Sequence, residues 1–258
     1  MVYLAISFCK FDMTKKIELS VILPCYNEAE HFLKSSQKIL DVLKRSKIAF
    51  ELIFVEDASQ DNTPELITQF MRREKNKQVR ALFHAKNLGR GRSVTDGIGS
   101  ARGRFAGFID IDCEVSPSYI PQFLVQLKSG KDIVCAERRY QTTAGGLVRT
   151  LASKLYQQLV KLVLVTNLSD TEAGYKFFNR KRIFPVLSKV RDTGWFWDTE
   201  IMVSSERAGL KIAFFPVQFN RRMDKTSTVR LIPDTLNYFI KLFAFRLSLT
   251  GKSLAKKA

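Results

Sequence analysis

The sequence predicts an α/β fold, a mostly parallel sheet flanked by helices on both faces. Three observations predict it. Apolar, β-branched runs alternate with stretches of helical periodicity through the first half of the chain. The runs are continuous rather than alternating, as in strands covered on both faces. Acidic and other chemistry-bearing residues follow directly on the runs, at the carboxyl ends of strands, where parallel sheets bind ligands.

Each element has its own signal. Glu18 to Pro24 (ELSVILP) reads as a buried strand. Ala29 to Ser46 has helical spacing, with Phe32, Leu33, Ile39, Leu40 and Leu43 expected to face inward. Phe50 to Val55 is the second strand, and Thr63 to Glu74 a helix with Pro64 in its first turn. Val79 to His84 is the third strand. Gly89 to Gly103 is rich in glycine and arginine, with a short helix over Ser93 to Ala101. Arg104 to Ile109 is a fourth strand ending at Asp110; Pro117 to Ser129 is helical and Asp132 to Ala136 a further strand. Beyond this, Leu147 to Val165 reads as a long helix and Lys176 to Phe178 and Ile212 to Phe215 as strands. Thr199 to Ala208 reads as a helix stopped by Gly209. Asp234 to Leu249 carries a helical apolar stripe of Leu236, Phe239, Ile240, Phe243 and Leu247. The simplest division is an N-terminal extension over residues 1–17, one domain over 18–230, and an amphipathic helix with a basic tail over 231–258.

The chain has 258 residues, 45% of them hydrophobic and 26% charged, which excludes disorder on the scale of the whole chain. Its 42 Lys and Arg against 25 Asp and Glu give +17, which favours anionic partners: nucleic acid, a membrane surface or phosphorylated substrates. Four dispersed cysteines without a CxxC pair, and only His31 and His84 to join them, argue for reduced thiols and against structural zinc. Met1 to Phe11 is apolar but short, without a positive leading segment or cleavage site, and reads as an extension rather than a signal peptide. No stretch reaches the roughly 18 apolar residues of a spanning helix. Membrane contact is therefore expected to be peripheral.

Asp110-Ile111-Asp112, directly after an apolar strand, is the strongest local signal. Two carboxylates one residue apart can share a Mg²⁺ or Mn²⁺ ion, which would neutralise charge on a departing diphosphate; the alternative is a solvated acidic turn. Glu28 and the pair Glu56-Asp57 also follow strands. Carboxylates there suit a nucleobase N–H, ribose hydroxyls or a metal. Asp61 is expected to cap the helix from Thr63, leaving Asp57 as the better ligand candidate. Arg90 and Arg92 reach toward a diphosphate or lie on an exposed loop.

Four segments then resemble family 2 glycosyltransferases in order and spacing: Pro24-Cys25-Tyr26-Asn27-Glu28, Val55 to Thr63 (VEDASQDNT), Lys86 to Gly91 (KNLGRG) and Asp110-Ile111-Asp112. The order is similar to the dolichyl- or polyprenyl-phosphate mannosyltransferase branch. Asp170 to Phe178 (DTEAGYKFF) and Trp197 to Glu200 (WDTE) extend the match, which covers roughly residues 18–230. The resemblance implies a GT-A fold and inverting transfer of a hexose, mannose from GDP-mannose favoured, to a polyprenyl phosphate at the cytoplasmic face of a membrane. It implies that Pro24, Tyr26, Glu28 and Asp57 hold the nucleoside. Asp110 and Asp112 would hold metal and diphosphate, with Glu114 where the branch often has a metal-contacting Gln, and Arg90 would reach the donor. Arg149 and Ser153 match an Arg and a Ser that receive the lipid phosphate. Arg138 or Arg139 matches the Arg after the preceding strand, and Arg221, Arg222 and Lys225 the basic segment near the acceptor. Glu56 for the usual Asp, Glu114 for Gln, and Cys113 to Pro117 in place of the common LQHPP string depart from the pattern.

The residues carry some of this alone. Arg149 and Ser153 share a helix face, and an Arg fork beside a hydroxyl suits a phosphate monoester, though a solvated basic face gives the same spacing. A phosphate acceptor is already anionic and needs no strong base. A hydroxyl acceptor would need one, with Asp198 and Glu200 the candidates unless they only serve the start of their helix. The alternative enzyme is thus a family 2 transferase acting on a hydroxyl of a glycan or lipid, with UDP-glucose or another UDP-sugar as donor. Arg221 to Ala258 holds nine Lys or Arg against two acids and an aromatic helix, which either lies in a membrane interface or packs on the domain. A nucleic-acid partner is excluded by the strand-end carboxylates, which repel a phosphate backbone. The intact Asp57, Asp110 and Asp112 argue against an inactive binding module.

Overall fold

In a computed structural model, which describes residues 16–74, 78–140, 157–220 and 231–254, the chain forms one seven-stranded sheet with helices packed on it. The strands are β1 (Leu19–Cys25), β2 (Phe50–Glu56), β3 (Val79–Phe83), β4 (Phe105–Ile109), β5 (Ile133–Tyr140), β6 (Tyr175–Asn179) and β7 (Ile212–Phe219). The helices are α1 (Phe32–Arg45), α2 (Thr63–Glu74), α3 (Arg90–Ser100), α4 (Ile120–Lys128), α5 (residues 157–164), α6 (Arg180–Leu187), α7 (Trp197–Arg207) and α8 (Leu231–Leu254). A 3₁₀ turn, Pro117–Tyr119, leads into α4.

The sheet order is β3-β2-β1-β4-β6-β5-β7. β1, β2, β3 and β4 are mutually parallel, and β5 is parallel to β7. β6 alone runs against its neighbours, pairing Ile109 with Tyr175 and Ile133 with Phe178. The reversal matters for function. The carboxyl ends of β1, β2, β4 and β5 and the amino end of β6 meet at one edge of the sheet. The central strands are mostly apolar because both faces are covered, and Leu19, Val21, Ile22, Leu52, Ile53 and Phe108 are fully buried. Gly107 of β4 has Phe177 of β6 packed where a Cβ would stand.

Most elements lie where the periodicity predicts them, with instructive differences. α1 starts at Phe32, and Leu33 points outward rather than into the core. A buried stripe on a 3.6-residue period takes Phe32, Ser36, Ile39, Leu40 and Leu43, and Leu33 falls off it. β5 and β7 are longer than their apolar cores, because residues 136–140 pair with 215–219 regardless of polarity. Arg180–Leu187 forms a helix that its basic start and Pro185 conceal. Of the long helix expected over 147–165, residues 157–164 are helical and the rest lies outside the described residues.

α8 adds a second apolar side to the expected stripe. Its buried side is Leu242, with Tyr238, Phe245 and Leu249 packed against the core. Tyr238 and Phe245 meet Phe196 edge-on, and the Tyr238 hydroxyl bonds Thr199 Oγ1 at 2.6 Å. Ile240, Phe243 and Leu247, members of the expected apolar stripe, are 61%, 53% and 71% exposed. One helix therefore carries two apolar stripes, one facing the domain and one facing out. Among the described residues no helix is long and apolar enough to cross a membrane.

Candidate active site

The first two motifs interlock. Asn27 adopts φ +54, turning the chain out of β1. The backbone N–H groups of Asn27, Glu28 and Ala29 then donate to Ser59 Oγ (3.0 Å), Thr63 Oγ1 (2.8 Å) and Asp61 Oδ2 (3.0 Å). Asn27 Oδ1 in return accepts from Gln60 N–H (2.8 Å). Asp61 Oδ1 also accepts from the N–H of Thr63, the cap expected for α2. Burial alone would raise the Asp61 carboxyl, but hydrogen bonds from Thr63 and Ala29 hold it below its ordinary value. Glu56 turns back to accept from Ala58 and Ser59 N–H. The polar residues after β2 thus build the turn after β1, leaving Pro24, Tyr26 and Glu28 partly exposed beside it.

Asp57, at the end of β2, is 2% exposed. Its Oδ1 accepts from Leu88 N–H (2.8 Å) and His84 Nδ1 (2.7 Å), and its Oδ2 from Gly89 N–H (2.8 Å). It thereby fixes the loop that ends at Gly89, whose φ of +95 and contact with the Thr193 carbonyl leave no space for a side chain. His84 faces Asp96 of α3 on its other side, Nε2 to Oδ2 at 3.3 Å. The hydrogen bond to Asp57 and then the nearby Asp96 carboxylate outweigh burial and raise the imidazole to about 9, so it is an imidazolium at neutral pH. Sequence reading treated His84 only as a zinc candidate. Its position one residue past β3 was the available signal.

Arg90, first residue of α3, is the hub of the next cluster. Its Nε donates to Asp110 Oδ1 (2.8 Å) and its Nη1 to Asp198 Oδ2 (2.6 Å). The guanidinium lies over the rings of Phe108 and Trp195, 5.1 Å from each centroid. Asp198 Oδ1 accepts in addition from Lys176 Nζ at 2.5 Å, a fully buried lysine on β6. Lys176, Asp198, Arg90 and Asp110 form an alternating chain of charges that sums to zero. Arg90, expected either to reach a diphosphate or to lie on an exposed loop, is 12% exposed and binds these two carboxylates.

Asp110 follows β4, and its N–H donates to the Gly174 carbonyl at 2.9 Å. Burial, with Asp112 and Asp198 nearby and Arg90 opposing, raises its carboxyl to about 6, although 32% of the side chain stays exposed. The turn closes when Cys113, at φ +55, returns its N–H to the Asp110 carbonyl, and Asp112 Oδ1 accepts from Glu114 N–H (3.2 Å). Asp110 and Asp112 offer hard oxygen donors on one turn, a donor set that fits Mg²⁺ or Mn²⁺ completed by diphosphate oxygens. Glu114, expected as a third ligand, follows two residues after Asp112 on the same turn. Among the described residues no three His, Cys, Asp or Glu side chains gather as a metal site. The Glu114 main chain is tied instead into a bridge to Asn220, its carbonyl accepting that N–H at 2.9 Å.

The reversed β6 brings residues 170–174 to the same edge. Arg138 of β5 donates Nε and Nη2 to Asp170 Oδ2 (2.8 Å) and Oδ1 (2.9 Å), a bidentate pair with Asp170 2% exposed. Strand alternation turns Arg139 outward, where it is exposed. Glu172, a quarter exposed and 3.9 Å from Arg138, has its carboxyl raised to about 7, by burial foremost and by Asp170 and Asp198 against Arg138. Asp198 and Glu200, the candidate bases for a hydroxyl acceptor, are both engaged. Glu200 accepts the N–H groups of Arg191 (3.1 Å) and Asp192 (2.8 Å). Neither caps α7. Asp192 Oδ1 does, accepting from Trp197 N–H (3.1 Å). Arg149, Ser153, Arg221, Arg222 and Lys225 lie outside the described residues.

Known proteins match this architecture. The family model for glycosyl transferase family 2 matches residues 20–184, which run from β1 into α6. The chain is 30% identical over 225 residues to glycosyltransferase AglD of Haloferax volcanii, covering 85% of this chain and 35% of that protein. It is 28% identical over 214 residues to a dolichyl-phosphate β-glucosyltransferase of Dictyostelium discoideum, covering 76% of this chain and 64% of the relative. The chain thus spans about a third of the first relative's length and just under two thirds of the second's. A crystal structure of Mycobacterium tuberculosis glucosyl-3-phosphoglycerate synthase with Mn²⁺, UDP and glucosyl-3-phosphoglycerate superposes with a TM-score of 0.64 at 18% identity, covering 90% of this chain and 78% of that one. That likeness shows the GT-A fold. With the family model matching well over half of its residues, the chain belongs to glycosyl transferase family 2.

Proposed function

We propose that the chain transfers a hexose, with inversion, from a nucleotide-sugar to the phosphate of a polyprenyl phosphate. One observation carries the choice of acceptor. Asp198 and Glu200, the carboxylates that a hydroxyl acceptor would call on, are buried and consumed, the first by Arg90 and Lys176 and the second by two backbone N–H groups. An acceptor that is already anionic needs no such base.

In this reading Pro24, Tyr26, Glu28 and Asp57 hold the nucleoside. Asp110 and Asp112 hold a divalent cation, which when bound supplies charge neutralisation to the diphosphate. Arg90 and Gly174 hold Asp110 in line. The acceptor phosphate oxygen forms its bond to the anomeric carbon as the bond from that carbon to the diphosphate breaks, and the pair of electrons leaves with the nucleoside diphosphate. Attack from the far side inverts the centre, so an α-linked donor gives a β-linked product. Arg139, Arg149, Ser153 and Arg222 are assigned to the acceptor phosphate; Arg138 supports that edge through Asp170.

Glucose is set ahead of mannose, and UDP-glucose ahead of GDP-mannose, because the Dictyostelium relative is named for dolichyl phosphate and a β-glucosyl product. The exposed Ile240, Phe243 and Leu247 of α8 support peripheral contact with a membrane surface. A second reading, transfer to a hydroxyl, is favoured only by Glu172, whose carboxyl at about 7 suits a general base. The test is a panel of UDP- and GDP-sugars with Mn²⁺ or Mg²⁺ and a short polyprenyl phosphate, read by product mass and anomeric configuration. A β-glucosyl phosphate lipid is expected. Turnover on hydroxyl acceptors alone, abolished by Glu172→Gln, would replace this reading with the second.

A further inference from the structure

His84 is held between two carboxylates on different elements, Asp57 after β2 and Asp96 on α3, and its side chain is 4% exposed. Asp96 is held in turn by Arg92 Nε at 2.8 Å. The ring is hydrogen-bonded through Nδ1 to Asp57, and Nε2 faces Asp96 as an ion pair without a hydrogen bond.

The consequence falls on Asp57. An ionised carboxylate offers about four acceptor positions, two on each oxygen. Oδ1 has both filled, by Leu88 N–H and His84 Nδ1; Oδ2 has one filled, by Gly89 N–H. One position remains, on Oδ2, and the 3% exposure of the side chain suits one further contact rather than two. Nucleobases differ in what they bring to such a site. Uracil presents a single imide N–H. Guanine presents N1–H and N2–H₂ side by side, a pair that a carboxylate satisfies only with both oxygens. We propose that His84 is a positioning residue that makes the donor site selective for uridine over guanosine, by closing Asp57 Oδ1 and leaving Oδ2 as a single acceptor. This rests on the reading of Asp57 as part of the nucleoside site.

The test is calorimetric titration of UDP and of GDP, each with Mn²⁺, into the wild type and into His84→Ala, His84→Asn and Asp96→Asn. Wild type should bind UDP at least tenfold more tightly than GDP. His84→Ala should weaken UDP at least tenfold and narrow the ratio, because freed Oδ1 can take guanine's second donor. His84→Asn carries an amide N–H close to the former Nδ1–H and should recover most of both. Asp96→Asn removes only the distal partner; it should lower Tm and leave UDP affinity within threefold. A wild type that binds GDP as well as UDP overturns the proposal, as does a folded His84→Ala with the ratio unchanged. So does an Asp96→Asn as impaired as His84→Ala, since His84 would then be merely structural. If His84→Ala does not fold, the wild-type ratio and His84→Asn decide. Failure to glucosylate a polyprenyl phosphate while this selectivity persists would sink the functional reading and not the inference.

Discussion

Gly174 leaves the space that Asp110 occupies: a Cβ added at position 174 would run into Asp110 Oδ2, while the Gly174 carbonyl accepts the Asp110 N–H at 2.9 Å. The start of β6 is in this way the back wall of the acidic turn. Gly174→Ala is expected to push the carboxylate aside and lower kcat about 100-fold, the scale of a misplacement of about 1 Å. Circular dichroism should be unchanged. Wild-type kinetics from this variant would mean that the Asp110 position does not matter.

Arg90 is the cation shared by Asp110 and Asp198. Arg90→Met should destabilise the fold by about 3–5 kcal/mol in urea titrations, because it strands buried charge. Adding Asp198→Asn should cost less than the sum of the single changes, with a coupling of about 1–3 kcal/mol. Strict additivity would show that the pair carries no joint energy.

His84 makes stability depend on pH with a definite sign. Its pKa rises from the ordinary 6.5 to about 9 on folding, chiefly through Asp57 and then Asp96. A raised folded value means that the stabilisation is complete below 6.5, shrinks between 6.5 and 9, and is gone above 9. The full amount is about 3 kcal/mol. Tm should therefore fall across that window, and the slope should flatten in His84→Asn. A wild-type Tm that rises from pH 6.5 to 9, or an equal slope in the variant, contradicts the assignment.

Arg138 and Arg139 should separate cleanly. Arg138→Ala leaves Asp170 buried without its bidentate partner and should cost about 3 kcal/mol of stability. Arg139, exposed on the other side of β5, should change stability by no more than about 0.5 kcal/mol when replaced by Ala, and should lower kcat/KM for the lipid phosphate. Equal losses of stability in the two variants would mean that the strand does not sort them.

What the sequence makes legible follows from the range of the interactions. The turn at Asp110 and Asp112 is legible because an apolar strand leads straight into it. The cap at Asp61 is legible because its partner is two residues away. The direction of β6 is not, since a short apolar run reads the same both ways, and only the pairing of Ile109 with Tyr175 reverses it. Nor is the fate of Asp198, which depends on an arginine 108 residues distant. The second apolar side of α8 stayed hidden for a different reason. Helical period identifies an apolar face, but with Tyr238, Leu242 and Phe245 on one side and Ile240, Phe243 and Leu247 on another it cannot choose between two.

The central claim is that acids at the end of β4 take a divalent cation together with the donor diphosphate. Arg90 and Asp198 with Lys176 bring the cluster near neutrality, so the turn alone should attract Mn²⁺ weakly and a bound diphosphate should strengthen it. The most direct measurement is the free Mn²⁺ electron paramagnetic resonance signal, titrated with protein in the presence and absence of UDP. Wild type should deplete the signal strongly only with UDP, and Asp112→Asn should not. Depletion that ignores UDP, or that survives Asp112→Asn undiminished, would contradict the account.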